Sequence, residues 1–540
     1  MTAGGRTSRT FVALLLGVCA VPHLIRMLGP TLAPADGFYA HGAFMLSRGY
    51  EPYVHFTQVA FPFAEQLLAL AMRAFGHVLL VFEISHLLVV LAVAAALYGA
   101  GCALAGRIAG VVAAVAWSCQ VWVVHYDLFE RETWAALGTS LALLLYLRAG
   151  SLGWRRAAQV ALALALAFVM KITAVMPAAA LLLHLLVRGR VREAARLLFI
   201  YLALLAAVTC VCWRLWGDPF LWQVFLFGFF RNADHALSGS LAQLLSWTDP
   251  VLAAGFVALF VWGLPQLRAP AGAVALVLVA DLLYTVQLNP VVWQHNLINL
   301  APSCALLVGG LAAQPTRRRL IAELLLLLAL IGAIAQWSGE WMAGEYGSEG
   351  PYFGGWHRDG MDRRAAFLQK YSSADEIVAT SQPWWSVQAG RIEFVRYWDL
   401  QSVALGIEAS LQADGLAATF GKRQGPLLLG PGLPEANPRL SRLDAYHARL
   451  LANGLQYDRP LFLAALQRSE IALVMEPLPP GILEPADLVA AGYERFEDSE
   501  LGLAGWRPPH GESHPRVAEL FQRHLPLPAA VPAGAVPEGH

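Results

Sequence analysis

Lysine is almost missing from this 540-residue chain: Lys171, Lys370 and Lys422 are its only lysines, and the rest of its 38 basic residues are arginine. Charge of either sign is scarce, at 14% of residues against a usual ~25%, while 57% are hydrophobic. One water-soluble core could not bury so much apolar surface, so a single soluble globule is excluded and a membrane protein is expected. The 38 basic and 38 acidic residues cancel, which leaves no net field to draw nucleic acid. Cysteine is also thin. All six (Cys19, Cys102, Cys119, Cys210, Cys212, Cys304) lie in apolar runs and none follows residue 304, so the polar C-terminal part has no disulfide framework. No Gly-rich phosphate loop sits between a strand and a helix, so no nucleotide-binding domain is expected.

What is present is a series of apolar runs. A membrane-spanning helix needs about 20 apolar residues. Candidates lie near 11–28, 82–105, 108–125, 133–147, 157–170, 172–187, 197–214, 250–266, 271–287, 297–313 and 320–337, eleven in all. Arg6 and Arg9 followed by Phe11–Val21 resemble a signal peptide, but no small-residue cleavage site follows, so the run reads as a retained first helix. Arginine placement tests the count, because cytoplasmic loops collect basic residues. With the N-terminus inside, alternate loops carry Arg107, then Arg148, Arg155 and Arg156, then Arg188, Arg190, Arg192 and Arg196, then Arg268, then Arg317, Arg318 and Arg319. A hairpin turning near Lys171–Pro177 keeps both neighbouring arginine groups inside. An odd number of spans then puts residues 338–540 on the outer face.

The run Phe61–Phe75 is too short and polar to span and reads as an amphipathic interfacial helix. Beyond Trp337 the composition becomes ordinary. Short β-rich runs, Glu376–Thr380, Arg391–Tyr397 and Ile471–Met475, alternate with helical stretches such as Leu440–Ala452, which suggests a small α/β domain. The expected organisation is a transmembrane domain over 1–337, an outer α/β domain over 338–515 and a Pro/Ala-rich tail over 516–540.

Ionisable groups at membrane depth are costly and mark function by default. Here they gather towards the outer side. The first outer loop holds Asp36, Tyr39 and Tyr53; the second, HYDLFERETW, holds His125, Asp127, Glu130, Arg131 and Glu132; Lys171 sits at an outer turn; Trp293 and His295 fall in NPVVWQHN. Each has a plain structural alternative. Asp36 before GFYA suits a helix N-cap. Glu130, Arg131 and Glu132 suit a solvated ion-pair cluster, Lys171 a snorkelling side chain, and His295 a hydrogen-bonded interfacial residue. Asp281, inside the ninth span, has no role assigned by the sequence; pairing with a neighbouring helix is one open reading.

At these residues the chain resembles a family. Asp36, Tyr39 and Ala43, then Leu46, Gly49, Pro52, Tyr53 and Phe56, give D-x-x-Y-x-x-x-A…L-x-x-G-x-x-P-Y-x-x-F. That pattern is similar to the first outer loop of GT-C membrane glycosyltransferases, nearest the bacterial protein-mannosyltransferase-like, aminoarabinose-transferase-like and lipopolysaccharide-core galacturonosyltransferase-like groups. The family's next P-P is Phe61-Pro62 here. Arg131-Glu132 resembles an R-E pair of some bacterial members, His295–Pro302 resembles the family's H-Y-x-x-x-x-x-P, and Ser381–Arg391 is similar to part of an outer domain. The resemblance covers most of the chain, and the first-loop motif is its most specific part.

The resemblance implies a polytopic α-helical fold and transfer of one sugar from a polyprenyl-phosphate donor to a lipid, glycan or protein acceptor at the outer face of a bacterial inner membrane. It places a carboxylate base at Asp36, with Asp127 or Glu132 as a second carboxylate. Arg131, Lys171 and His295 would face the donor phosphate, and Tyr39, Tyr53 and Trp293 would contact sugar or acceptor. No cofactor is expected, though a divalent metal stays open. Two other functions remain open at this point: a transporter or flippase of a lipid-linked sugar, and an envelope polymerase or ligase that moves whole glycans. Against a transporter, the chain lacks a clear internal repeat, and its charges sit in outer loops rather than at mid-span.

Overall fold

A computed structural model describes residues 9–29, 37–76, 79–125, 128–226, 237–288, 294–315, 358–394, 458–479 and 481–508, with 327, 331–332 and 455 besides. The chain forms two compact units. The first is Met1–Asp36, Ala60–Phe225 and Arg231–Arg358; the second is Gly37–Val59, Leu226–Phe230 and Asp359–His540. The second unit thus joins a first-loop segment to the C-terminal region.

The first unit is helical. Its elements begin with α1 (Arg9–Leu28); the second unit takes α2 (Gly37–Ser47). There follow α3 (Phe63–Phe75), α4 (Leu79–Ala105), α5 (Arg107–Ser118), α6 (Val121–His125), α7 (Arg131–Arg148), α8 (Trp154–Met170), α9 (Val175–Val187) and α10 (Val191–Trp216). Later helices cover Pro250–Ala258, Pro270–Leu283 and Ala301–Ala312. Among the described residues, Arg9–Leu28, Leu79–Ala105, Val191–Trp216 and Pro270–Gln287 are long and apolar enough to cross a membrane, and four shorter apolar helices accompany them. Ten of the eleven expected spans fall on helical segments; most of 320–337 lies outside the described residues. The protein is an integral membrane protein.

Apolar side chains give little drive for helices to associate in lipid, so small residues must let backbones meet. Gly138 on α7 does this: a Cβ there would lie 2.5 Å from the Ala167 nitrogen and 2.8 Å from the Ala163 oxygen of α8. Gly110 on α5 sits as tightly against α4, with Tyr98 O only 2.4 Å from where a Cβ would stand. Regular helix fails at several places. Lys171 is extended (φ −152°, ψ 122°) between α8 and a 3₁₀ turn, Ile172–Ala174. Tyr284–Leu288 is π-helical and Gln294–Asn299 is 3₁₀. Irregular backbone at membrane depth is tolerated where protein buries it or where it lines a cavity, so these breaks locate the interesting part of the unit.

The second unit contains the expected small α/β fold. Its strands are β1 (Ile377–Ala379), β2 (Ile392–Glu393), β3 (Leu473–Met475), β4 (Glu494–Asp498) and β5 (Leu503–Arg507), in the order β2-β1-β3-β5-β4. β1 runs parallel to β2 and β3, and β5 pairs antiparallel with β3 and β4. The helix Pro383–Ala389 joins β1 to β2 and also meets α2. Gly37 admits that meeting, since a Cβ there would lie 2.9 Å from Trp384 Cδ1. The Glu393 backbone N–H donates to His41 Nε2 of α2 at 3.2 Å. The buried Glu393 carboxylate accepts from the Thr380 backbone N–H and, at 2.7 Å, from its hydroxyl. Burial pushes its pKa up to about 8, against the opposing pull of hydrogen bonds from Thr380 and Ser386. The expected helix at Leu440–Ala452 and the tail over 516–540 lie outside the described residues.

Candidate functional site

The site of the first unit grows from the start of α7. Glu130 is extended (φ −129°, ψ 130°) and the helix begins at Arg131, so Arg131 and Glu132 occupy its first turn rather than a loop. A carboxylate in the first turn is favoured by the partial positive charge of the helix N-terminus. Both side chains point into protein. Arg131 is 1% exposed and its partner Glu65, in the first turn of α3, is 0% exposed. Arg131 Nε donates to Glu65 Oε1 at 2.8 Å, its Nη2 donates to the same oxygen, and Nη1 reaches the Met170 carbonyl at 3.4 Å. The guanidinium thus ties α3, α7 and the end of α8.

Glu132, equally buried, collects three groups. Lys171 Nζ donates to Oε1, Asn296 Nδ2 donates to the same oxygen at 3.0 Å, and His295 Nε2 lies 3.5 Å away. The break after α8 is what frees Lys171 to reach α7, and the 3₁₀ turn 294–299 presents His295 and Asn296 together. Lys171 and His295 keep 18% and 16% exposure, so they form the accessible rim of an otherwise buried group. Glu130, Glu132 and His295 also offer ligand atoms within 4.8 Å of one another. Two carboxylates and an imidazole suit a divalent cation chemically, but the Lys171 ammonium holds the same Glu132 oxygen and would compete with one.

Of the residues singled out in the sequence, Glu132, Lys171 and His295 come together, with Arg131 beside them and facing Glu65. Asp36, Asp127 and Trp293 lie outside the described residues. Tyr39 and Tyr53 belong to the second unit. There Tyr53 is buried and holds the left-handed region at φ 66°, four residues after Gly49 at φ 90°. A tyrosine in that region is uncommon, and the tight Pro52–Phe56 turn fixes it: the Tyr53 N–H donates to the Phe56 carbonyl at 2.9 Å. The first-loop motif is thus partly a recipe for a backbone shape. Glu65 and Asn296 were not singled out. A lone acid in FPFAEQLLAL was the available signal for Glu65; a neutral amide gave none for Asn296.

No family model matches the chain, and no curated protein matches it by sequence. Solved structures do match by fold. The chain is similar to ArnT from Cupriavidus metallidurans bound to undecaprenyl phosphate, with a TM-score of 0.51 at 13% identity over 89% of this chain and 85% of that one. It is also similar to apo ArnT from the same organism, with a TM-score of 0.54 at 13% identity over 75% and 91% of the two chains. The chain thus shares the overall fold of ArnT.

Proposed function

We propose that this chain is a glycosyltransferase that moves a single sugar from a polyprenyl-phosphate donor to a lipid, glycan or protein acceptor at the outer membrane face, with inversion. The observation that carries the reading is the Glu132 cluster, in which the Lys171 ammonium and the His295 imidazole meet one buried carboxylate at a break between apolar helices. A lipid-linked donor arrives sideways from the bilayer, so its phosphate meets protein where apolar helices end. The fold neighbour ArnT was crystallised with undecaprenyl phosphate, which supports a carrier of that class.

In the proposed reaction an acceptor hydroxyl or amine attacks the anomeric carbon. The bond from that carbon to the phosphate oxygen breaks, and its electron pair stays on the phosphate. The phosphodiester becomes a monoester and gains charge, which the Lys171 ammonium and a protonated His295 offset. Glu132 and Asn296 hold Lys171 and the 294–299 turn in place. Arg131, locked onto Glu65, supports the α7 start from behind. The acceptor proton goes to a carboxylate base within hydrogen-bond reach, which we assign to Asp36, with Asp127 or Glu132 as the second carboxylate. Tyr39, Tyr53 and Trp293 are assigned to sugar or acceptor contact. No metal or cofactor is needed for this scheme. The N-terminus is placed on the cytoplasmic side and residues 338–540 outside.

Purified protein incubated with a panel of polyprenyl-phosphate sugars should release carrier phosphate with at least one of them when an acceptor extract is supplied. Transbilayer movement of the intact donor in proteoliposomes, with no release from any panel member, would instead make the chain a flippase.

A further inference from the structure

Asp281 lies in the membrane-depth helix Pro270–Leu283, is 6% exposed, and its carboxylate makes no hydrogen bond or ion pair to another described residue. It lines a pocket together with Thr139, Thr173, Tyr284 and Asn299. The room inside is about that of one water molecule. An ionisable side chain buried at membrane depth is rare and marks function by default. Beside Thr139, Thr173 and Asn299, Asp281 gives the pocket a polar side able to hydrogen-bond one group of a ligand.

The pocket is lined in part by the elements that carry the Glu132 cluster. Glu132, Ala136 and Thr139 recur at i, i+4 and i+7, one face of α7. Thr173 is two residues beyond Lys171, and Asn299 follows Asn296 by one 3₁₀ turn. Tyr284 opens the π-helical segment, a backbone form found often at functional sites. Three segments that assemble the phosphate-facing cluster therefore also build this pocket. Its chemistry is opposite. Asp281 offers oxygen acceptors and the lining brings no cationic side chain, so the pocket suits a neutral or cationic donor group. Its size suits one substituent and excludes a sugar ring.

We propose that the Asp281 pocket holds one hydrogen-bond-donating substituent, a hydroxyl or an ammonium, of the sugar being transferred, and so sets which sugar is used. This rests on the transferase reading above. The test uses full-length protein in nanodiscs, wild type and Asp281→Asn. Ligands are polyprenyl phosphate alone and polyprenyl-phosphate pyranoses whose ring positions carry hydroxyl, ammonium or hydrogen in turn. Wild type should favour one substituted donor over its deoxy partner by about 10–100-fold in kcat/KM. Asp281→Asn should erase most of that preference, most severely for an ammonium donor, while affinity for polyprenyl phosphate alone stays within about two-fold. If Asp281→Asn fails to fold, Thr139→Val and Thr173→Val should each weaken the same preference in the same direction. Unchanged discrimination in a folded Asp281→Asn, or in both threonine variants, overturns the subsite and leaves the transferase reading standing. A wild type that neither binds polyprenyl phosphate nor turns over any donor overturns both.

Discussion

Arg131 and Glu65 give the most decisive perturbation. Their side chains are 1% and 0% exposed, and the guanidinium makes two hydrogen bonds to one Glu65 oxygen and one to the Met170 carbonyl. Removing one partner strands the other charge in protein. The cost for such a buried pair is about 3–5 kcal/mol, whereas exchanging both for apolar residues of similar volume is often neutral or stabilising. Arg131→Met and Glu65→Leu should therefore each destabilise by roughly 3–5 kcal/mol, and the double variant should recover most of it. Denaturant unfolding in detergent, followed by tryptophan fluorescence, measures the cycle. Added salt should change it little, since screening acts weakly on buried pairs. The same proteins separate the two roles open to Arg131. If it supports the α7 start, the double variant keeps donor KM near wild type. A stable double variant that has lost donor use as completely as Arg131→Met would refute the supporting role and make Arg131 part of the phosphate clamp.

Four further outcomes are expected. Asp36→Asn should slow the chemical step by about 10²–10⁴-fold with donor binding intact, and near-normal turnover alongside a dead Glu132→Gln would move the base to the second loop. Glu393, with its pKa raised from 4.5 to about 8, gives up its proton in the unfolded chain first; the stability it contributes is full below about pH 4.5 and is lost as pH rises to about 8. Glu393→Gln should flatten that profile by an amount on the order of 5 kcal/mol, and an unchanged pH dependence of unfolding in the second unit, read from Trp384, Trp385 and Trp506, would refute it. Gly138→Ala forces a methyl against the α8 backbone and should cost about 1–3 kcal/mol of stability by overpacking, with a melting temperature equal to wild type as the contrary result. Chelation by EDTA should leave turnover unchanged because Lys171 holds the Glu132 oxygen a cation would use; loss restored by a divalent ion, and absent in Glu130→Gln, would put a metal on Glu130, Glu132 and His295.

The apolar segments were legible in the sequence because lipid forces the issue: a spanning backbone must satisfy itself, so composition alone marks the helix. The same pressure made the site partly legible. Glu132 and Lys171 stood out as ionised groups where few are tolerated. Their meeting, and that of Glu132 with Asn296 at a separation of 164 residues, depends on how helices assemble, and no local pattern encodes it. Glu65 was missed for an instructive reason. Phe61–Phe75 read as a surface helix, where a carboxylate needs no partner; once α3 is seen to bury Glu65, a cation becomes obligatory and Arg131 supplies it. The assignment of Gly37–Val59 to the C-terminal unit was equally invisible, since it turns on a glycine leaving room for Trp384 and on a histidine accepting one backbone N–H.

Charges at membrane depth thus sort by where their partner comes from. Arg131 has Glu65, and Lys171 has Glu132; both pairs are complete within the chain, so their first consequence is stability and geometry. Lys171 and His295 retain exposure and can still meet an anion. Asp281 has no described protein partner and opens onto a pocket built by the same elements. An ionisable side chain at that depth marks function by default, and in the reading proposed above its partner is the molecule the site handles. Phosphate at the Lys171 rim and a donor group at Asp281 then divide one ligand between two sites of opposite chemistry, which is how a lipid-linked sugar would be held by its carrier and recognised by its ring.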